Sequence, residues 1–483
     1  MKRIRSVFAV VLAACFLPWF FACNGSLKKT TYDIEAQISG DTLSGRETVT
    51  FFNDTENSFT SLKFNLYANA FRENAAVSPI SAQYYYKAYE NGESYGNTEI
   101  KAVYIGENAA EFSVAGTDEN ILEVRLFSEL FPDEKVSVTI EFTVKLAEVI
   151  ARTGINGKTV NLANFYPILC GIKDGAFFEC EYYAVGDPFF SDVADYKVKF
   201  TAPKEYVVAA GGREISSETQ GENTVRVFES ENCRSFAIVL SKDFEVISGD
   251  FNGVKVSYFY YADEDPQESL SDAISALGYF SETFGEYPFE TYNVVQTKFV
   301  QGGMEFTSLV FISDELEKAA KREVIVHETA HQWWQTVVGV NEIESPFIDE
   351  GLAEYSVVLF YENHPDYGFT RKQLIDSSEK TYKVFCSVYK KISGEVDTTM
   401  TRSLNEYRSE YEYVNIAYVK SCIMFDYLRQ TTGDNKFFSG LKRFYDENRF
   451  KIAGEEELIG AFERAGADSN GFFRSFLDGK VII

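Results

Sequence analysis

His327-Glu-Thr-Ala-His331 places two imidazoles four residues apart. On a helix, positions i and i+4 share one face, so both rings can reach a single ion. Imidazole suits Zn2+, and a catalytic zinc takes three protein ligands and keeps one position for water. Glu328, directly after the first ring, is the residue type that draws a proton from such a water. The chain has three histidines, and two of them fall in this pentad, which argues against a chance match. The third, His364 before Pro365, reads as a solvated residue past a helix end. A third ligand must come from elsewhere. Glu350 follows His331 after 18 residues and opens a helical stretch, Glu350-Gly-Leu-Ala-Glu354-Tyr355, so a helix–turn–helix can fold it back onto the pair. Glu342, Glu344 and Asp349 compete by composition, and spacing alone does not choose among them.

The elements that must position these groups are of two kinds. From Thr31 to about Ser248 the pattern is that of strands. Val136, Val138, Ile140, Phe142, Val144 and Leu146 alternate without a break, the period of a half-buried strand. Tyr196, Val198 and Phe200 repeat it, as do Val225 and Val227. After Gly253 one more strand is followed by helices. Asp265-Pro266 with Glu268 has the form of a helix start, and Leu270, Ile274, Leu277, Phe280 and Phe284 follow at helical spacing. A strand pair is expected around Tyr292–Phe299 and Leu309–Ile312, then helices over 314–339, 350–363, 371–390 and 409–431. The expected fold is α+β: an antiparallel β domain over 32–248, then a mainly helical catalytic domain over 249–483, with the boundary drawn from the change of period.

Several further runs extend the pentad. HETAHQWW, the 18-residue gap and EGLAEY together resemble the aminopeptidase N family of zinc metallopeptidases, which includes the leukotriene hydrolases. Gln301-Gly-Gly-Met-Glu305 resembles that family's G-x-M-E-N element, and Ala417-Tyr418-Val-Lys420 its Y-x-K-G segment. Asn164-Phe-Tyr-Pro-Ile and Gly186-Asp-Pro-Phe-Phe-Ser resemble segments of its amino-terminal domain, so the likeness runs from about residue 30 to 430. It implies a saddle-like β domain followed by a thermolysin-like domain. It also implies one zinc per chain on His327, His331 and Glu350, with Glu328 as general base and Tyr418 as hydrogen-bond donor to the oxyanion. Glu305 would take the free amine of a peptide substrate, and Gly302, Gly303 and Met304 would line an edge along which the peptide adds like a strand. The implied reaction is removal of amino-terminal residues by a zinc-activated water. Two positions depart from the family. Phe306 stands where it has Asn, which puts the surroundings of the amine site in doubt, and Ser421 where it has Gly. The chain stops 133 residues after Glu350, so the long helical carboxy-terminal domain of many members is not expected.

Composition narrows the partners. With 46 basic and 73 acidic residues the net charge is −27, which excludes gripping nucleic acid or an anionic membrane surface through charge. Peptides remain the expected partners. Met1-Lys-Arg-Ile-Arg5, an apolar run from Val7 to Ala22 and then Cys23 have the shape of an export signal over 1–23, followed by a polar tether over 24–31. Cys23, where the apolar run ends, is the expected lipidation site, with a plain cleaved signal or uncleaved anchor, and then lipidation at Cys15, as the alternatives. All three place the body outside the cytoplasm, and lipidation would hold it to the membrane. Cys170, Cys180, Cys233, Cys386 and Cys422 read as buried thiols, with a Cys170–Cys180 pair the only disulfide weighed. Two readings compete with the aminopeptidase: a zinc endopeptidase of relaxed register, and a non-catalytic surface lipoprotein that binds peptides.

Overall fold

The computed structural model describes residues 29–481; residues 1–23, read from sequence as an export signal, with Cys15 and Cys23, lie outside the described residues. The first part of the chain is built from strands. Thr31–Ser39 buries Tyr32, Ile34, Ala36 and Ile38 and exposes the residues between, as period two requires. Its neighbour Thr42–Phe52 pairs antiparallel with Lys135–Lys145, in which Val138, Ile140, Phe142 and Val144 are buried. Across that pair the hydroxyls of Thr48 and Thr139 meet at 2.9 Å on the outer face, fixing the register. These strands belong to an eight-stranded sheet. It is antiparallel except that Thr31–Ser39 runs parallel to Ala194–Pro203. Two four-stranded sheets and the short pair Ile172–Lys173 with Ala176–Phe177 complete the β layers.

The second part opens on a five-stranded sheet: β1 (Glu245–Phe251), β2 (Val254–Tyr260), β3 (Thr291–Thr297), β4 (Gly303–Phe306) and β5 (Leu309–Ser313). The order is β1-β2-β3-β5-β4. β2, β3 and β5 run parallel, and β4 returns antiparallel at the edge. Helix α1 (Pro266–Thr283) is the crossover from β2 to β3. Its start is as expected: Pro266 is in the first turn, and the Asp265 side chain accepts from the Glu268 N–H. α2 (Lys318–Ala330), α3 (Pro346–Asn363), α4 (Arg371–Ser393) and α5 (Ser421–Thr432) follow. None of the described helices is long and apolar enough to cross a membrane.

Four expectations change. The helix drawn over 314–339 ends at Ala330, because Trp333 and Trp334 are both buried and anchored in different directions. The Trp333 indole donates to Gly285 O at 2.7 Å and that of Trp334 to Ser356 Oγ at 3.0 Å. The chain then turns so that Val338–Gly339 pairs with Lys451–Ile452. The helix drawn from 350 starts at Pro346, so Glu350 sits in its second turn. β4 was not foreseen as a strand, since its Gly-Gly start carries no alternation. His364 is half-buried and stacks on Phe360 at 4.0 Å between centroids, with Nδ1 2.7 Å from Phe360 O, instead of standing free in solvent. The five cysteines among the described residues are all free.

One core residue has no structural partner. Glu47, in the strand Thr42–Phe52, is 0% exposed and neither carboxyl oxygen has a hydrogen-bond partner. Burial pushes its pKa well above the usual carboxylate range. The native state therefore holds a proton that the unfolded chain releases above about pH 4.3, and stability falls as pH climbs from there towards the raised value. Glu47→Leu should raise stability by roughly 1–3 kcal/mol at pH 8 and by much less at pH 4. Thermal melts at the two pH values check this; equal shifts at both would contradict it.

Candidate active site

α2 carries His327 and is capped at its end by His331, and α3 crosses it with Glu350. The three donor atoms form a small triangle. His327 Nε2 and His331 Nε2 are 3.0 Å apart, and Glu350 Oε2 is 3.5 Å from each. Bonds of about 2.0–2.1 Å at tetrahedral angles set neighbouring zinc ligands about 3.3–3.4 Å apart, so the triangle has the size that ion needs. Glu350 Oε2 is buried and has no hydrogen-bond partner, as a ligand atom awaiting a cation would be. Electrostatics agree. Burial opposes a charge on His327, yet Glu350 and Glu354 raise its pKa to about 10, so the cluster attracts positive charge.

The other atoms of the three groups are held in turn. His331 Nδ1 is 2.6 Å from Asp349 Oδ1, which fixes the tautomer that leaves Nε2 free for an ion. His327 Nδ1 is 3.3 Å from Glu354 Oε2. The Tyr413 hydroxyl lies 3.3 Å from Glu350 Oε1 and donates to it. None of these three supports was assigned from sequence; Asp349 and Glu354 are signalled only by their places one before and four after Glu350. The competing ligands are accounted for as well. Glu344 pairs with Lys173 at 2.5 Å, and Glu342 clusters with Glu305 and Asp349, their oxygens within 4.8 Å of one another.

The site opens into a cavity of about 260 Å³ lined by Gly302, Gly303, Glu305, His327, Glu328, His331, Glu350 and Tyr418 among others. Glu328 is buried with Oε2 unpartnered, and burial, against the pull of both histidines, lifts its pKa to about 7. Its carboxylate lies against the backbone of Gly303, where an added Cβ would collide with Oε1, so only glycine fits there. Tyr418 lies over His327, with centroids 5.8 Å apart and planes 10° off parallel. It belongs to a π-helical stretch, Val414–Lys420, that leads directly into α5; such local widening turns side chains a regular helix would not present. Lys420 of the same run donates to Thr398 O at 2.5 Å and Phe476 O at 2.9 Å, tying it to the carboxy-terminal helix. Ser421 is accommodated because Gly351 faces it: a Cβ at 351 would collide with that of Ser421.

On β4 the alternation of a strand sorts the motif. Gly303 and Glu305 line the cavity, whereas Met304 and Phe306 join an apolar cluster on the opposite face. The Phe306 ring packs on Phe311, centroids 5.0 Å apart, so it does not border the substrate's first residue. Met304 Sδ instead accepts from Arg152 Nε at 2.9 Å. Glu305 is 5% exposed with Oε1 unpartnered, and burial pushes its pKa well up. Its oxygen lies within 4.8 Å of donor atoms of Glu328 and His331.

Residues 268–476 match the peptidase family M1 domain. Over these residues the chain is similar to the M1 peptidases. This match covers the site-bearing part, and two curated relatives extend the likeness. Aminopeptidase N of Lactococcus lactis subsp. lactis is 25% identical over 326 residues, covering 61% of this chain and 36% of that protein. Human endoplasmic reticulum aminopeptidase 2 is 23% identical over 304 residues, 59% of this chain and 31% of that one. The matches thus span about a third of each relative. The M1 zinc metallopeptidase from Deinococcus radiodurans, at 16% identity, superposes with a TM-score of 0.67 over 94% of this chain and 95% of its own. That likeness shows the same two-part fold from end to end, and the His327–His331–Glu350 donors fit the zinc of such a family.

Proposed function

We propose that this chain is a zinc aminopeptidase that removes the first residue of peptides. The observation that carries the reading is Glu305, a buried carboxylate with a free oxygen lining the same cavity as the metal-ligand triangle. A peptide's ammonium is the cation that would satisfy it. Placing the amine there sets the first peptide bond at the triangle, which confines cleavage to the chain end. β4 is an edge strand among the described elements, so its open side can pair with an extended peptide.

His327, His331 and Glu350 would hold zinc, which would supply Lewis acidity for attack of water on the scissile carbonyl. Glu328 takes the proton that this water loses as its oxygen bonds to the carbonyl carbon, and its raised pKa suits it to hand that proton to the departing nitrogen. The Tyr418 hydroxyl donates to the oxyanion as charge builds on the carbonyl oxygen. Gly303 keeps the backbone close enough for Glu328 to reach the reacting atoms. The export reading rests on residues 1–23, with Cys23 as acyl acceptor, and makes the enzyme a lipoprotein acting outside the cytoplasm.

Glu305→Gln tests the amine site. It should lower kcat/KM on free-amine substrates by roughly 1.5–3 kcal/mol, the scale of a hydrogen bond to a charged group, and spare amino-acetylated ones. Equal losses on matched free and acetylated substrates would remove Glu305 from amine recognition.

A further inference from the structure

The ligands, their supports, the base, the amine site and Asp187, which pairs with Arg152, leave two carboxylates of the cavity unused, Glu323 and Glu410. The cavity as a whole is lined by seven carboxylates and a single guanidinium, Arg152. Arg152 is committed to the amino-terminal domain. It pairs with Asp187, donates to Gly186 O at 3.3 Å and reaches Met304 Sδ. Two carboxylates therefore face the cavity without a fixed counter-ion.

They stand at different ends. Glu323 is one helical turn ahead of His327 on α2, and the groups that act on it are Glu354 and His327. Glu410 begins the short helix Glu410–Tyr413, and the groups facing it are Ser81, Gln83 and Tyr84 together with Arg152 and Asp187. Tyr413 of that helix packs against Gly186, whose carbonyl accepts from Arg152, and Arg152 reaches Met304 beside Glu305, so Glu410 shares the end of the cavity where the substrate amine is placed. Its Oε2 is shielded from solvent and has no hydrogen-bond partner. A covered anion of this kind loses free energy when a neutral group is packed against it and recovers it when a cation arrives.

We propose that Glu410 selects peptides whose first residue is cationic, arginine or lysine, by pairing with the end of that side chain. The inference rests on the aminopeptidase reading, because the first side chain is placed by the amine at Glu305. Hydrocarbon stems of such side chains would lie along Tyr84 and Val414, which line the same cavity, while the charged head reaches the carboxylate. An acidic first residue would meet like charge and be rejected.

The test is kcat/KM of the zinc-loaded full chain on arginyl, lysyl, norleucyl and glutamyl coumarin amides, each free and amino-acetylated. Arginyl and lysyl should exceed norleucyl by at least about tenfold, with glutamyl lowest. Glu410→Gln should cut the arginyl-to-norleucyl ratio by at least about tenfold, and Glu410→Asp should restore part of it. Glu323→Gln removes the same charge from the other end and should move the ratio by less than about twofold. A wild-type enzyme that requires a free amine but ignores side-chain charge would overturn this inference alone. Equal changes in the Glu410 and Glu323 variants would overturn it too, showing a general field. Cleavage of acetylated substrates as fast as free ones would overturn both this inference and the aminopeptidase reading.

Discussion

Glu328→Gln should lower kcat by at least roughly 10²-fold and leave the zinc content unchanged. The two halves of that expectation have separate physical grounds. Glu328 is outside the triangle of His327, His331 and Glu350, so an amide in its place removes no ligand. The amide keeps the shape that fits against Gly303, so the pocket should not rearrange. What it loses is the ability to accept a proton, and no other buried group in the cavity combines an unpartnered oxygen beside both histidines with a pKa near 7. Steady-state kinetics with metal analysis of the same samples decides it. A kcat within tenfold of the parent would show that another group serves as base.

His331→Ala should reduce zinc affinity by well over the roughly 10–100-fold that a supporting residue costs, and activity should fall with it. Two donors would remain, one of them an imidazole that has lost its neighbour. The variant also leaves Asp349, 1% exposed, without the ring it holds, so a buried carboxylate becomes an added penalty. Asp349→Asn is the milder comparison: it keeps all three ligands and should fall within the supporting-residue range. Competition against a chelator of known affinity separates the two. Full occupancy of zinc in His331→Ala would rule out this ligand set.

How much of this was legible follows from the range of the signals. The histidine pair and Glu328 are local, set by one helical repeat, and the pentad shows them directly. Glu350 was legible only through the family likeness, because four acids lie within nine residues and the turn that selects one depends on where α3 begins. Pro346, four residues earlier than the periodicity suggested, swings Glu350 onto the rings and Asp349 onto the far nitrogen of His331. Tyr413 and Glu354 could not be read, since their partners come from other turns and other helices. The doubt raised by Phe306 dissolves in strand geometry, because β4 turns that residue to the opposite face from Glu305. Ser421 in place of glycine is matched by the missing side chain at Gly351, a compensation visible only when α3 and α5 are packed together. The β layers were readable from alternation, but the parallel pairing of Thr31–Ser39 with Ala194–Pro203 joins strands about 160 residues apart and leaves no local trace.

The central claim is that a buried carboxylate at Glu305 fixes register by holding a peptide's free amine beside the metal-ligand triangle. The most direct measurement is kcat/KM of the zinc-loaded protein on one peptide in two forms, free and amino-acetylated. The account predicts release of the first residue from the free form and at least about 10²-fold slower cleavage of the acetylated one, since acetylation removes the charge and leaves Glu305 buried without a partner. Comparable rates on both forms, or cleavage at internal bonds of either, would contradict it.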